Sequence, residues 1–148
     1  MEKHGQWVLE NTGERRRLAF LAGRLGPEEL GLELPNGWTV AVVLAHLAFW
    51  DLRQASLIRR WVEEGTRPES LDADSVNEPL AQLCAALPPE AALALALDAA
   101  EAADLQVERL TAAQAEALVG MGLERNLRRS LHRRTHLDQI EKALGARP

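Results

Sequence analysis

The chain has 148 residues, 47% of them hydrophobic and 26% charged, which is typical of one soluble globular domain with its own core. Its net charge of −5 argues against a general nucleic-acid partner. A single cysteine, Cys84, excludes an internal disulfide and favours a reducing, cytoplasmic setting. The N-terminus lacks the apolar segment of a signal peptide, and no apolar run reaches the ~20 residues of a membrane span, so we expect no membrane partner.

Alanine and leucine dominate, tyrosine is absent and β-branched residues are sparse, which predicts an all-α fold. The first helix is predicted from Gln6 to Leu25, with one apolar stripe at i, i+3, i+4 and i+7 and with Gly26-Pro27 as its stop. Gly13 predicts an irregular N-terminal part of this helix. A loop with turn signals is predicted from Leu30 to Gly37.

The second helix is predicted to begin at Thr39, whose hydroxyl can cap the first turn, and to end near Glu64 before Gly65. Its core face carries two ionisable side chains, His46 and Arg53, two turns apart, which is unusual for a buried stripe. The whole predicted stripe consists of Val42, Val43, His46, Phe49, Trp50, Arg53, Leu57 and Trp61.

A short extra helix is predicted from Ser75 to Leu87, with Pro79 tolerable only in its first turn. The next long helix is predicted from Glu90 to Leu110, because its length and its lack of β-branched residues outweigh a strand-like Ala/Leu alternation. One further turn, capped by Thr111, is expected from Ala112 to Leu118. No internal repeat and no second domain is evident, so the whole chain, 1–148, is predicted to be a single helical domain.

The last helix is predicted from Leu123 to Leu144. It carries His132 and His136 at i, i+4, a spacing that projects both rings from one face about 6 Å apart at Cβ. This face is apolar toward its C-terminal end and cationic toward its N-terminal end, where Arg125 and Arg129 lie. The pattern predicts a site at mid-depth with an arginine-lined mouth.

Three of the four histidines thus fall on predicted interior faces, namely His46, His132 and His136. We interpret them as the ligands of one divalent metal ion, because two imidazoles at i, i+4 suit adjacent coordination positions and a third from a facing helix leaves positions open for water or substrate. Imidazole suits Zn, Ni, Fe and Cu alike. Side chains that could orient the rings are Thr135, Asp138, Gln139 and Glu141.

Plainer readings of the same residues stay open. A lone core histidine such as His46 is more often a hydrogen-bonded packing residue, and an isolated HxxxH pair often occurs by chance. His4, the remaining histidine, is expected to be solvated. Cys84 lies in an apolar helix and is interpreted as a buried filler rather than a nucleophile.

Two segments carry a family resemblance. GWTVAVVLAHLAFWD and RRSLHRRTHLDQIEKAL resemble, in this order, the first-histidine segment and the C-terminal HxxxHxxQI motif of the DinB/YfiT-like superfamily of metal-dependent enzymes. LDADSVNEPLAQLCAALPPEAALALALDAAEAAD is similar to the ClbS/DfsB-type branch, and a maleylpyruvate isomerase N-terminal-like branch is the other candidate. The resemblance implies a four-helix bundle with a long crossover connection and a short extra helix between helices two and three. It also implies a homodimer.

The resemblance further implies a three-histidine site for Ni or Zn, with His46 as the ligand on helix two and His132 and His136 as the pair on the last helix. The family includes thiol-dependent S-transferases, so a metal-dependent transferase or hydrolase-type enzyme is expected, acting on a small electrophile with a low-molecular-weight thiol. Arg53 and Arg129 are our candidates for orienting an anionic substrate. Two alternatives remain, a non-catalytic bundle that binds or sequesters a small molecule and a helical interaction module.

Overall fold

The structure, a computed structural model, describes residues 2–68 and 70–145. In these ranges the chain forms eight helices and no strand, so the predicted all-α class is confirmed. The helices are α1 (Lys3–Ala22), α2 (Pro27–Leu30), α3 (Val40–Glu64), α4 (Ala73–Ala85), α5 (Pro89–Glu108), α6 (Ala112–Gly120), α7 (Glu124–Leu127) and α8 (Ser130–Gly145).

The four long helices α1, α3, α5 and α8 form the body of the protein. Both α1 and α3 pack against α5 and α8, so the order around the bundle is α1, α5, α3, α8. The short helix α4 lies on α3, in the crossover between the second and third long helices where an extra helix was predicted. Because α3 and α8 are neighbours in this order, side chains on their facing surfaces can meet.

The core is divided into two apolar clusters. The larger one joins all four long helices through residues such as Leu18, Val43, Ala96 and Leu137. The smaller one surrounds Trp7, Ile58, Val107 and Leu127. Between them along the helices lies a level of buried polar side chains, which we call the polar layer and which consists of Asn11, Asp51, Gln54, Asp104, Arg129, Ser130 and Arg133.

Helix α3 has the predicted bounds. Thr39 accepts a hydrogen bond from the Val42 amide at its start, and Gly65 ends it with φ +97°, a conformation that favours glycine. The predicted core face is only partly correct, because Phe49, Arg53 and Leu57 are half-buried. Fully buried polar positions that the prediction omitted are Asp51 and Gln54.

Other boundaries differ modestly from the predictions. Helix α1 runs through Gly13 without interruption, so the expected irregularity there is wrong. Pro79 lies inside α4 rather than in its first turn. The carbonyl that Pro79 leaves without a backbone donor belongs to Ser75, an exposed residue that water can reach.

The predicted last helix is two helices with a break between them. Arg128, at the break, has ψ +71°, which is not helical. The buried side chain of Asn11 bridges the gap, since its Nδ2 donates to the Leu127 carbonyl at 2.9 Å and its Oδ1 accepts from the Ser130 amide at 2.8 Å. A side chain from α1 therefore takes the place of the missing helical hydrogen bonds.

By length and composition α3 could cross a membrane, with a mean hydropathy of 1.2 over its best window, although the sequence predicted no such segment. However, 67% of that window is buried inside the protein. The apolar character of α3 is thus accounted for by its place at the centre of the helical core.

Candidate metal centre

The three predicted ligands meet between α3 and α8. His132 Nε2 lies 3.2 Å from His46 Nε2 and 3.2 Å from His136 Nε2, although 86 residues separate His46 from His132. One ligand atom from each ring lies within 4.8 Å of the other two, so the group could hold a metal ion. Two nitrogen ligands of a tetrahedral ion at a bond length of ~2.05 Å are about 3.3 Å apart, close to both short distances.

All three imidazoles are biased toward the neutral form that a metal ligand requires. Burial lowers the pKa of His46 to about 4, and the neighbouring His136 adds to this shift. Burial also lowers the pKa of His132 to about 2, with a further contribution from the positive charge of Arg129. The pKa of His136 is lowered by burial as well. The cluster therefore consists of neutral rings at neutral pH, each with one nitrogen that carries a proton and one that does not.

Gln139 sets the tautomer of His136. Its Oε1 lies 2.8 Å from His136 Nδ1 and can only accept a hydrogen bond, so Nδ1 carries the ring proton and Nε2 presents its lone pair to the cluster. The other side chains that were predicted to orient the histidine rings make different contacts. Asp138 and Glu141 both bind Arg17, and Thr135 donates to a backbone carbonyl of its own helix.

His132 is held from its other side by an arginine. Arg129 Nη2 lies 3.3 Å from His132 Nδ1 and can only donate, so Nδ1 accepts and Nε2 carries the ring proton. That proton can be donated to the Nε2 atom of His46 or of His136. A metal ion bound at this point would have to displace that proton from His132 Nε2.

One buried ring nitrogen of the cluster has no partner among the described residues. His46 is 5% exposed, and its Nδ1 makes no hydrogen bond. The ring is instead flanked by the indoles of Trp38 and Trp50, at centroid distances of 5.1 and 6.4 Å. A buried polar atom without a partner costs stability, and such costs concentrate at functional sites.

The polar layer lies directly beside the histidines. Arg133 is fully buried and is paired with Asp51 at 3.0 Å and with Asp104 at 2.8 Å. Asp51 also binds Arg129 at 2.8 Å, and Asp104 also binds Arg15 at 2.9 Å. A continuous chain of ion pairs therefore connects α1, α5, α3 and α8 and ends at Arg129, the residue that contacts His132.

The sequence analysis missed four members of this chain, Arg15, Asp51, Asp104 and Arg133. A local signal existed for Asp104, which interrupts the buried alanine stripe of α5 between Ala100 and Val107. No comparable signal marked Asp51, because the predicted face of α3 was rotated away from it.

A cavity of about 510 Å³ opens beside the cluster, bounded by His46 and His132. The predicted arginine-lined mouth is present, since Arg125 and Arg129 line it. The remaining lining residues are Trp50, Ala73, Asn77, Arg128, Leu131 and Thr135.

The two candidate catalytic arginines differ in position. Arg129 lines the cavity, but its Nε donates to Asp51, so it is already neutralised by a carboxylate. Arg53 is not among the lining residues. Its guanidinium carbon lies 5.5 Å from the centre of the Trp50 ring, a cation–π contact, so it is engaged with an indole instead. The geometry thus brings only one of the two to the site.

The remaining histidine and the cysteine lie outside the site. His4 is half-buried, not solvated as expected, because its Nε2 lies 2.7 Å from the Val107 carbonyl. Cys84 is buried in the larger apolar cluster, which confirms its predicted role as a filler. Burial also raises the pKa of its thiol.

Comparison with family models, with curated proteins and with solved structures gave no match to this chain. The likeness to the DinB/YfiT-like superfamily accordingly stays a prediction from the sequence, and the site is argued from its own geometry.

Proposed function

We propose that this protein is an enzyme that holds one divalent metal ion on His46, His132 and His136 and uses it to activate a nucleophile toward a small electrophilic molecule. The observation that carries the proposal is the convergence of three neutral imidazoles from two distant segments, with two Nε2–Nε2 distances of 3.2 Å, beside an open cavity. Three histidines leave coordination positions for exogenous ligands, as catalytic rather than structural sites do.

The residues of the chain would divide the work as follows. Gln139 holds the His136 ring in the ligating tautomer, and Asp51 holds Arg129 against His132. Trp50 and Leu131 supply apolar wall to the cavity. A divalent ion at this position would supply a Lewis acid that lowers the pKa of a water or thiol ligand.

The nucleophile is proposed to come from outside the protein. No aspartate or glutamate lines the cavity in the described part of the chain, so no carboxylate base is offered there. Cys84 is buried away from it, and its raised pKa disfavours the thiolate. We therefore favour a low-molecular-weight thiol as co-substrate, in line with the resemblance to the DinB/YfiT-like S-transferases, which also supports Ni or Zn and a homodimer. A cytoplasmic location is proposed because the chain has a single cysteine.

The metal site is tested with a pair of histidine variants. Elemental analysis of dialysed protein is expected to find about one metal ion per chain in the wild type and in His4→Ala, whose ring lies outside the cluster, but none in His136→Ala. A chelator should lower the melting temperature only where metal is bound. Metal retained by His136→Ala at the wild-type level would contradict the proposed ligand set.

The catalytic part is tested by turnover. Metal-loaded protein is assayed with mycothiol, bacillithiol and glutathione against a panel of small electrophiles. We expect thiol consumption that disappears in His136→Ala and persists in His4→Ala. Turnover that survives complete removal of the metal would refute the mechanism. A stoichiometric metal with ligand binding but no turnover would instead support the sequestering bundle.

A further inference from the structure

The cavity beside the histidines is positively charged although the chain as a whole carries a net charge of −5. Its lining contains three arginines, Arg125, Arg128 and Arg129, and no acidic residue within the described ranges. A local charge opposite to the net charge of the chain is not explained by composition alone. The charge available to a ligand depends on which of these arginines are neutralised by carboxylates.

Two of the three arginines have carboxylate partners. Arg129 Nε lies 2.8 Å from an oxygen of Asp51 in the polar layer. Arg128 binds Glu10 with two nitrogens, at 2.7 and 3.2 Å. These pairs position both side chains and cancel most of their charge.

Arg125 differs from the other two. It is exposed on α7, and no ion pair or hydrogen bond involves its side chain in the described part of the chain. Its guanidinium is thus the one uncompensated positive charge among the lining arginines. A guanidinium of this kind recognises carboxylate or phosphate groups through paired N–H donors.

Asn77 adds a second donor to the same cavity. Its Oδ1 accepts a hydrogen bond of 2.9 Å from Trp50 Nε1, which orients the amide. The Asn77 NH₂ group is then left to donate toward a ligand, because the carbonyl side is occupied. Arg125 and Asn77 lie on different elements, α7 and α4, and together favour an acceptor group on whatever enters the cavity.

We infer that the cavity selects small anionic molecules and that Arg125 is the residue that recognises their carboxylate or phosphate group. A volume of about 510 Å³ fits a small molecule rather than a polymer. A single uncompensated arginine is also too little for a nucleic-acid surface, which neutralises several phosphates. The inference deepens the proposed function and rests on it, since the histidines form one wall of this cavity.

The test uses three thiols of similar size and different charge, namely 3-mercaptopropionate, 2-mercaptoethanol and cysteamine. Each is titrated into cobalt-loaded protein at low salt, and binding of sulfur is followed by the absorbance of the cobalt centre. For the wild type we expect the anionic thiol to bind about tenfold more tightly than the neutral one, since a hydrogen bond to a charged group contributes about 1.5 kcal/mol. The cationic thiol is expected to bind most weakly.

Arg125→Gln is expected to reduce the anionic preference to less than about threefold. Arg16→Gln is the matched control, because Arg16 is exposed on α1 and does not line the cavity, and it should keep the wild-type preference. Equal affinities of the three thiols for the wild type would overturn the inference. The inference would also be overturned if Arg125→Gln kept the wild-type preference for the anionic thiol, or if Arg16→Gln lost as much of that preference as Arg125→Gln.

Failure of the proposed function gives a different result. If the wild type takes up no cobalt, the proposed metal site is wrong. The preference of the cavity for anions is then tested separately, by titrating metal-free protein with inorganic phosphate and following its NMR spectrum. A shift of the Asn77 side-chain signals that is seen in the wild type and is lost in Arg125→Gln would support the inference. Absence of such shifts in the wild type would overturn it.

Discussion

Two groups of ionisable side chains lie side by side in the helical bundle and differ in whether their polar atoms have partners of opposite charge. In the polar layer, Arg133 and its partners Asp51 and Asp104 are each within 3.0 Å of an opposite charge. In the histidine cluster, the three Nε2 atoms have only one another as hydrogen-bond partners, and His46 Nδ1 has none, among the described residues.

This difference in partners indicates a structural role for the polar layer and a ligand-binding role for the histidine cluster. The charges of the polar layer neutralise one another without any ligand, and Asp104 Oδ1, which makes no hydrogen bond, still lies 2.8 Å from Arg133. The layer therefore holds four helices in register. The histidine cluster is incomplete, because lone pairs that could bind an ion have only each other as neighbours. Arg129 belongs to both groups, since it binds Asp51 and contacts His132. The layer therefore fixes the position of the His132 ring, and through Arg129 it favours the tautomer whose Nε2 proton a metal ion would displace.

The largest effect is expected from Asp51→Asn. This change leaves the buried guanidinium of Arg133 with one carboxylate and Arg129 with none, and removing one partner of a buried ion pair costs about 3–5 kcal/mol. Urea denaturation in the presence of a chelator measures the free energy of unfolding. The matched control is Glu63→Gln, at an exposed pair with Arg59, where a loss below about 1 kcal/mol is expected. Equal losses in the two variants would mean that the polar layer contributes no special stability.

The next largest effect is expected in the pH dependence of the free energy of unfolding of the metal-free protein. The pKa of His46 is lowered to about 4 and that of His132 to about 2, whereas both titrate near 6.5 when unfolded. Below pH 6.5 the unfolded chain binds more protons, so the free energy of unfolding decreases as the pH falls, by up to about 1.4 kcal/mol per pH unit for each histidine.

Urea titrations between pH 7 and pH 5 measure this slope. Glu10 and Glu141 also have lowered pKa values, mainly because each is hydrogen-bonded to an arginine. Since both values lie below the usual 4.5, these carboxyl groups affect the free energy of unfolding mainly at a pH lower than this range. We expect His46→Gln to reduce the slope, because glutamine does not titrate. A stability that stays constant over the window, or that increases toward pH 5, would contradict the assigned burial of the rings.

A smaller effect is expected from Gln139→Ala. This change removes the acceptor of the His136 Nδ1 proton, so the ring is no longer held in the ligating tautomer. Metal affinity measured by competition with a chelating dye is expected to fall about 10- to 100-fold. Gln82→Ala, at an exposed position of α4, serves as the control and should leave the affinity unchanged. An unaltered affinity in Gln139→Ala would show that the orienting contact is dispensable.

Some features of this protein were predictable because they are local. The all-α class, the start of α3 at its Thr39 cap and its end before Gly65 follow from composition, capping and glycine chemistry within a few residues. The i, i+4 spacing of His132 and His136 follows from helical geometry in the same way. The prediction that His46 joins them needed two helices to pack correctly, and the fold brings the three rings together.

Other features were not predictable because they depend on contacts between distant segments. The core face of α3 was misplaced since its neighbours bury it from several sides, with 14 of its residues buried, so hydrophobic periodicity does not single out one stripe. The break before α8 depends on Asn11, a side chain more than 100 residues away. Likewise Arg53 and Arg129 look equivalent by spacing, and only packing directs one to Trp50 and the other to the cavity.

By itself the amino-acid sequence determined the all-α class, the bounds of α3 and which side chains could ligate a metal, because these properties are set by neighbours along the chain. The tertiary structure alone decided which charges are neutralised and which polar atoms remain without a partner. That outcome depends on what each helix meets across the bundle, and it is why Arg133 is enclosed while Arg125 stays uncompensated at the cavity.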